Sequence, residues 1–593
     1  MESKVKDRSR ICPFPPKSKM GLNWRLRPRT IFMGVSLSLI LTTGLLYYLM
    51  LPPSPLPIPP PLPTPPEDDP IIEYGFITID GDTNFSDTAL VEGWEGDGSP
   101  GNPFIIDRLH IDLGGEFGHC IMISNTRVSF TISNCNLAGA NVTHQGFGMG
   151  PLLKGAGIHL LNVSNGELIN NICNNNTGRG IVLEDSTYNT LANNTCNYNE
   201  IGICLDSSDS NTLVNNTCIS NEWDGIQLGN YWEGSDHNTL ANNTCNNNGC
   251  EGIDLAGSNH TTVVHNTCNN NDVGFFIDFS FHNTMANNTC TNNACGIIIY
   301  CGNHNTVIGN TCTNMLQSST GPTGFGGGFG ILVMTDFNTV ANNTCNNNGG
   351  AGICISEPYN TVTNNTCTNN TVGIELGILS DSNTVENNTC TSNVIGIRLK
   401  GASYNSVENN TCISNEIGIL LDSSLFIRSY WDGTLLGHLV FYWGESNYNT
   451  VTNNICNSNE IGICLEGSSY NTVESNTCND NDIGISLNRK LEVVQRNNSE
   501  YWTYSLYNTV ANNTCNYNRV GIYLLDPHSN TVVNNTFLGN SEHDLLEDFT
   551  PKKFDTEVLQ FIGFLGLMGF AGIIMLGAAW RMVMLSRPES KGE

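Results

Sequence analysis

Histidine gives the sharpest chemical pattern in this 593-residue chain. His237, His260, His282 and His304 each lie eight residues before a cysteine (Cys245, Cys268, Cys290 and Cys312). A structure that repeats with those cysteines stacks the four imidazoles as one outward column, neighbours about 5 Å apart, where they could share copper or zinc. The same slot holds Tyr188 earlier and Phe337, Tyr359, Tyr404, Tyr448, Tyr470 and Tyr507 later. That continuation favours an aromatic stack using His in four places, and no carboxylate completes a ligand set. Copper or zinc is the cofactor this spacing raises.

Aromatic pairs form the second pattern. Tyr231 and Trp232, Tyr430 and Trp431 with Tyr442 and Trp443, and Tyr501 and Trp502 lie in three insertions that leave the repeat at one shared turn. Exposed Tyr and Trp beside Asp432, Glu445 and Glu500 could form a sugar-stacking platform. The blander alternative folds these rings over the edge of the scaffold. Arg398 and Lys400 share a face with Glu375 one repeat earlier, which reads as a surface ion pair. Asp80-Gly-Asp82-Thr-Asn84 has calcium-like spacing but lacks the later Gly and Glu of a calcium loop, so a turn is expected.

The positioning elements follow from a repeat of 22–23 residues, N-T-[LV]-x-N-N-T-C-x-x-N-x-x-G-I-x-L, interrupted by loops. Alternating apolar positions without a helical period predict one turn of a parallel β-solenoid with three short strands. Leu191, Cys196, Ile203 and Leu205 point inward, while Asn194 and Asn199 take corners and bond between coils. Sixteen register positions give a rod of roughly 77 Å. Fifteen of the 23 cysteines fall in one inward column that Phe537 also occupies, so they read as buried thiols and not as a disulfide framework.

Composition supports this organisation. Asn occurs 85 times and Gly 60 times, and the formal net charge is −30. Residues 71–540 hold 42 acids against 11 bases, which excludes nucleic acid as a partner. Residues 1–30 are a basic tail with nine Lys and Arg. Segments 31–51 and 558–580 carry no charge and are long enough to cross a bilayer, so two transmembrane α-helices are expected, the first a signal anchor. Residues 52–70 form a Pro-rich linker, 541–557 a juxtamembrane linker and 581–593 a second tail. The expected location is the cell membrane, with both termini cytoplasmic and the solenoid outside.

At residues 71–540 the sequence resembles a known family. Its repeat is similar to the right-handed parallel β-helix repeats of NosD-like and CASH (carbohydrate-binding and sugar-hydrolase) domain proteins. The leader Ile77-Thr-Ile-Asp-Gly-Asp82 through Gly93-Trp-Glu-Gly-Asp-Gly-Ser-Pro-Gly-Asn-Pro-Phe-Ile-Ile106 resembles that of archaeal membrane-anchored surface members. The resemblance implies an all-β right-handed parallel β-helix, with leader module 71–134 and repeats 135–540, flanked by the two transmembrane helices. It also implies copper or carbohydrate association, while the Gly-His-Gly and Arg-Ile-Lys motifs of polygalacturonases are absent.

The chain has 17 glycosylation sequons. Most begin at the first Asn of N-N-T: Asn193, Asn215, Asn242, Asn287, Asn342, Asn364, Asn387, Asn409, Asn512 and Asn534. That Asn faces out in the inferred register, and coils about 5 Å apart cannot all carry a glycan, so partial occupancy is expected. The reading that gathers these features is a surface module, structural or binding glycans and polymers, without evident catalysis. Metal binding at the histidines is the alternative, and polysaccharide-active enzyme chemistry the third.

Overall fold

The computed structural model describes residues 72–73, 75–141, 155–230, 233–316, 327–378, 380–430, 438–494, 499–525 and 527–548. They build a right-handed parallel β-solenoid of about 17 turns. Most coils supply three short strands, one to each of three faces; at Thr195, Thr477, Thr514 and Thr536 the third is reduced to a single bridge. The first is led by glycine, as in Ile201–Asp206 and Cys295–Tyr300. The second follows the aromatic corner, as in Thr212–Val214 and Thr306–Ile308. The third carries the column cysteine, as in Thr217–Ile219 and Thr311–Thr313.

Pairing between coils is parallel and in register with the repeat. Cys218 pairs with Cys245, Cys290 with Cys312, and Ile297 with Ile331. Leu191, Cys196, Ile203 and Leu205 are all fully buried, as the pattern predicts. Among the described residues the cysteines are unbonded thiols. Burial pushes Cys120 and Cys135 up to about 12, which leaves them protonated and inert.

The corners explain the Asn surplus. Each coil turns at three residues of left-handed backbone, for example His282, Asn287 and Asn292 at φ of 58°, 53° and 58°. A buried Asn follows each of them: Asn283, Asn288 and Asn293. Asn288 Oδ1 accepts the backbone N–H and a side-chain N–H of Asn266, at 2.8 and 3.1 Å. Its Nδ2 donates to Val263 O and Asn310 Oδ1, at 2.9 and 3.0 Å. Exposed Asn thus tolerates the bend, and buried Asn supplies hydrogen bonds to a bent backbone that the strand ladder no longer serves. Glycine opens the first strand because a Cβ on Gly296 would lie 2.4 Å from Gly330 O.

Among the described residues a single short α-helix, Asp82–Glu92, lies at the N-terminal end. Its Phe85 is fully buried and stacks on Phe104 with ring centroids 5.1 Å apart. Asp80 and Asp82 are spent on hydrogen bonds to Ser124, Asn125, Thr126 and the Arg127 N–H, and the calcium-like spacing joins the end of strand Ile77–Asp80 to the first turn of this helix where a turn is expected.

One expectation is corrected. The fold class is an all-β solenoid, without two flanking transmembrane α-helices: among the described residues no helix is long and apolar enough to cross a membrane. The 11-residue helix spans roughly 16 Å against a hydrocarbon core of about 30 Å. Residues 1–71 and 549–593, which include segments 31–51 and 558–580, both tails and the Pro-rich linker, lie outside the described residues. Apolar length and flanking basic residues are the grounds for the expected spans, and neither specifies a helix.

Candidate functional site

The aromatic column forms as the spacing predicts. His237, His260, His282 and His304 sit at exposed left-handed corners, φ 53–59°, with ring centroids 4.9, 5.1 and 5.0 Å apart and interplanar angles of 6°, 3° and 4°. Phe337 and Tyr359 continue the stack at 5.7 and 5.1 Å. Ser382 interrupts it, and Tyr404, Tyr448, Tyr470 and Tyr507 form a second stack at 5.0–5.1 Å. Slight burial and the neighbouring imidazoles lower the His282 pKa. Two nitrogens on one metal are at most about 4.2 Å apart, twice a metal–nitrogen bond. Equivalent nitrogens of parallel rings at 5 Å exceed that, so shared coordination needs rings to rotate out of the stack.

Two of the three aromatic insertions have described backbone. They are antiparallel hairpins, Ser424–Tyr430 with His438–Gly444 and Lys490–Val494 with Ser499–Thr503. Both leave after the glycine-led strand and return just before the Tyr448 and Tyr507 corners, which puts them on one edge. Tyr430, Tyr442, Trp443, Tyr501 and Trp502 lie on these strands; their side chains, and all of Tyr231, Trp232 and Trp431, lie outside the described residues.

The hairpin feet are tied together. Ser423 Oγ and Thr503 Oγ1 are 2.9 Å apart, across the intervening coil at Gly467. Lys490 Nζ reaches Asp422 at 3.0 Å and also donates to Ser423 O. Arg398 donates two hydrogen bonds to Asp422, at 3.2 and 2.8 Å. Burial alone would raise the Asp422 pKa, but Arg398 and Lys490 outweigh it and hold the carboxyl well below the usual range. The expected surface ion pair is therefore a buried network: Asp422 is 1% exposed, and Glu375 is the weaker partner of Arg398 at 3.7 Å. Lys490, at a hairpin foot, joins this network on a sheet face that repeat position alone assigns to solvent.

A second polar chain escaped the sequence pattern. His159 is buried; its Nδ1 lies 3.3 Å from His119 Nε2 and its Nε2 lies 3.2 Å from Glu184 Oε2. His119 Nδ1 accepts the Ala156 N–H at 3.1 Å. That acceptor fixes the tautomers: the Nε2 proton of His119 points to His159, whose own proton points to Glu184. Every nitrogen is satisfied, and a metal on His119 Nε2 would leave an imidazolate. Burial first, then the His159 charge, lowers His119 to about 4. The pair is separated by an insertion, so no repeat spacing could reveal it.

The ten sequon asparagines occupy a third left-handed column at φ 53–57°, exposed or half-buried, and each precedes an Asn that is buried, or half-buried in the case of Asn535.

Two family models match the chain. One, described as right handed beta helix region, matches residues 118–279 and 229–312; the other, periplasmic copper-binding protein (NosD), matches 318–428 and 436–549. No curated protein matches. Among solved structures, the periplasmic alginate epimerase AlgG aligns at 10% identity and TM-score 0.27, covering 78% of this chain and 83% of its own. The A-module of mannuronan C-5 epimerase AlgE4 of Azotobacter vinelandii gives 11% and 0.26, covering 74% and 90%. PfbA, a surface adhesin of Streptococcus pneumoniae, gives 13% and 0.30, covering 46% and 81%. Scores this low carry no argument about activity. Coil geometry and repeat define a right-handed parallel β-helix protein. Within that class the chain is a NosD-like β-helix repeat protein.

Proposed function

We propose that the protein is a rigid binding scaffold, outside the cytoplasm, that holds an extended glycan or other surface polymer along one edge. The observation that carries this reading is the shared edge: the Tyr404–Tyr448–Tyr470–Tyr507 stack runs beside two hairpins whose feet are locked by the Asp422 network. Stacked rings hide their faces from a sugar but present phenol edges in a row about 5 Å apart, matching the coil repeat. Periodic donors suit a periodic ligand, and locked feet reduce the ordering cost of binding. Aromatics on the hairpins would supply the open faces.

Copper at His237, His260, His282 and His304 is the second reading. The NosD match begins at residue 318, past these histidines, and the stacked rings do not converge on one ion, so the polymer reading is preferred. Affinity electrophoresis of the full-length protein through gels carrying different polysaccharides tests it. Selective retardation that weakens when Tyr448 and Tyr470 are both changed to Ala supports the reading; equal mobility in every gel overturns it.

A further inference from the structure

The outer face of the glycine-led sheet carries an apolar strip. The residue before Gly and the x of Gly-Ile-x-Leu both face away from the core, and Val273, Cys295, Ile298, Ile395, Ile417 and Leu420 pack along this face. Two consecutive coils break the strip. Asp224 and Gln227 occupy the two slots in one coil, Glu251 and Asp254 in the next, and Gln227 pairs in register with Asp254. A two-by-two polar patch thus replaces an apolar one.

Its geometry is that of a ligand set. Ligand atoms of Asp224, Cys250 and Glu251 lie within 4.8 Å of one another. Asp224 Oδ1 accepts the Glu251 N–H at 3.0 Å, which fixes that carboxylate at only 4% exposure. Asp254 is 9% exposed; Oδ2 accepts from Gln227 at 3.5 Å, while Oδ1 is buried without a hydrogen-bond partner. The charges of Asp224 and Asp254 act on one another and on Glu251. Burial, reinforced by these neighbours, pushes Glu251 up to about 11 and Cys250 up to about 12. Carboxylates so placed need either protons or a cation.

We propose that Asp224, Cys250 and Glu251 bind one divalent metal ion of the zinc class. Two donors on one ion are at most about 4–5 Å apart, twice a metal–donor bond, and the 4.8 Å span of these three ligand atoms lies at that limit. Tetrahedral zinc draws its donors to about 3.3–3.8 Å, a closure of about 1 Å within reach of the half-buried Glu251 and Cys250 side chains. The thiol selects against calcium and magnesium, which take oxygen ligands. Binding releases the thiol proton and the Glu251 proton, so two protons leave as one divalent ion enters, and the two coils are then held by one ion.

The test uses the full-length protein, stripped of metal, titrated calorimetrically with Zn²⁺ and dialysed for a metal count. Because other Cys and His side chains can also take zinc, the readout is the difference between wild type and variants. Wild type is expected to retain one more ion per chain than the Asp224→Asn/Glu251→Gln double variant. Affinity at that site should fall by at least about 100-fold, the upper end for losing a mere outer-sphere partner. The near-isosteric Cys250→Ser keeps the test valid if the double variant misfolds, and it should abolish the thiolate charge-transfer band of the Co²⁺ form. Equal metal counts and equal thermal shifts in wild type and variants overturn the proposal. So does stabilisation by calcium but not by zinc, which would mark an all-oxygen site.

Discussion

Asn287 and Asn288 are chemically identical neighbours, yet substitution should affect them very differently. Asn288→Ala removes four hydrogen bonds: two accepted from Asn266 and two donated, to Val263 O and Asn310 Oδ1. The Asn266 side chain keeps Leu240 O and Val264 O as partners, but its backbone N–H is orphaned inside the rod. One orphaned donor at about 1–3 kcal/mol and three further bonds at about 1 kcal/mol each come to about 4–6 kcal/mol. Asn287 is exposed at φ 53°, a conformation glycine adopts freely, so Asn287→Gly should cost less than about 1 kcal/mol. A repeat array need not unfold in one step, so the assay is native-state hydrogen exchange resolved to coils. Asn288→Ala should lower protection in its own and adjoining coils by about a thousandfold, at tenfold per 1.4 kcal/mol. Loss below tenfold, or equal loss for Asn287→Gly, would refute the ladder as a main support of the corners.

Other outcomes follow from the same geometry. Asp422→Ala strands Arg398 and Lys490 without their buried partner and should destabilise the hairpin edge by about 3–5 kcal/mol, read as exchange or proteolysis at 424–444 and 490–503. Because the folded Asp422 pKa is depressed, its contribution is present above the unfolded value near 3.9 and is lost only as pH falls through the lower folded one. His119 is lowered to about 4 from an ordinary 6.5, so stability should fall as pH drops from about 6.5 toward 4, and His119→Gln should flatten the melting temperature over that window. Replacing His237, His260, His282 and His304 together by Tyr should leave the fold intact, since Tyr fills that slot at 404, 448, 470 and 507. A copper titration whose stoichiometry drops in that variant would establish metal binding at the column. Glycopeptide mapping should find the ten column sequons partly and unevenly filled, because adjacent acceptors are one coil apart; full occupancy of every site would contradict the stacking.

Much of this architecture was legible because a solenoid writes its geometry into spacing. The cysteine column, the inward Leu191 and Ile203, and the stacked His and Tyr all follow from one period. The left-handed conformation of all three corners was only half visible: Asn advertises it, but His282 and Tyr470 at the same φ do not. The sheet's outer face misled for a physical reason. Repeat position tells which side of a strand a residue leaves, not whether something covers that side, so Arg398 reads as surface although it is buried and bonded to Asp422. The acidic patch had a signal that went unread: Asp224 and Glu251 stand before Gly where other coils carry Ile201, Val273 or Ile417. The His119–His159 contact had none, since it bridges an insertion that breaks the period.

Polymer binding at the two-hairpin edge is tested most directly by one comparison. Full-length wild type and the Tyr448→Ala/Tyr470→Ala variant, shown to share one exchange profile, are titrated with the polysaccharide that most retards the wild type. A dissociation constant weakened at least tenfold in the variant is the predicted result. Equal affinity in the two proteins, or no polysaccharide that binds the wild type, would contradict it.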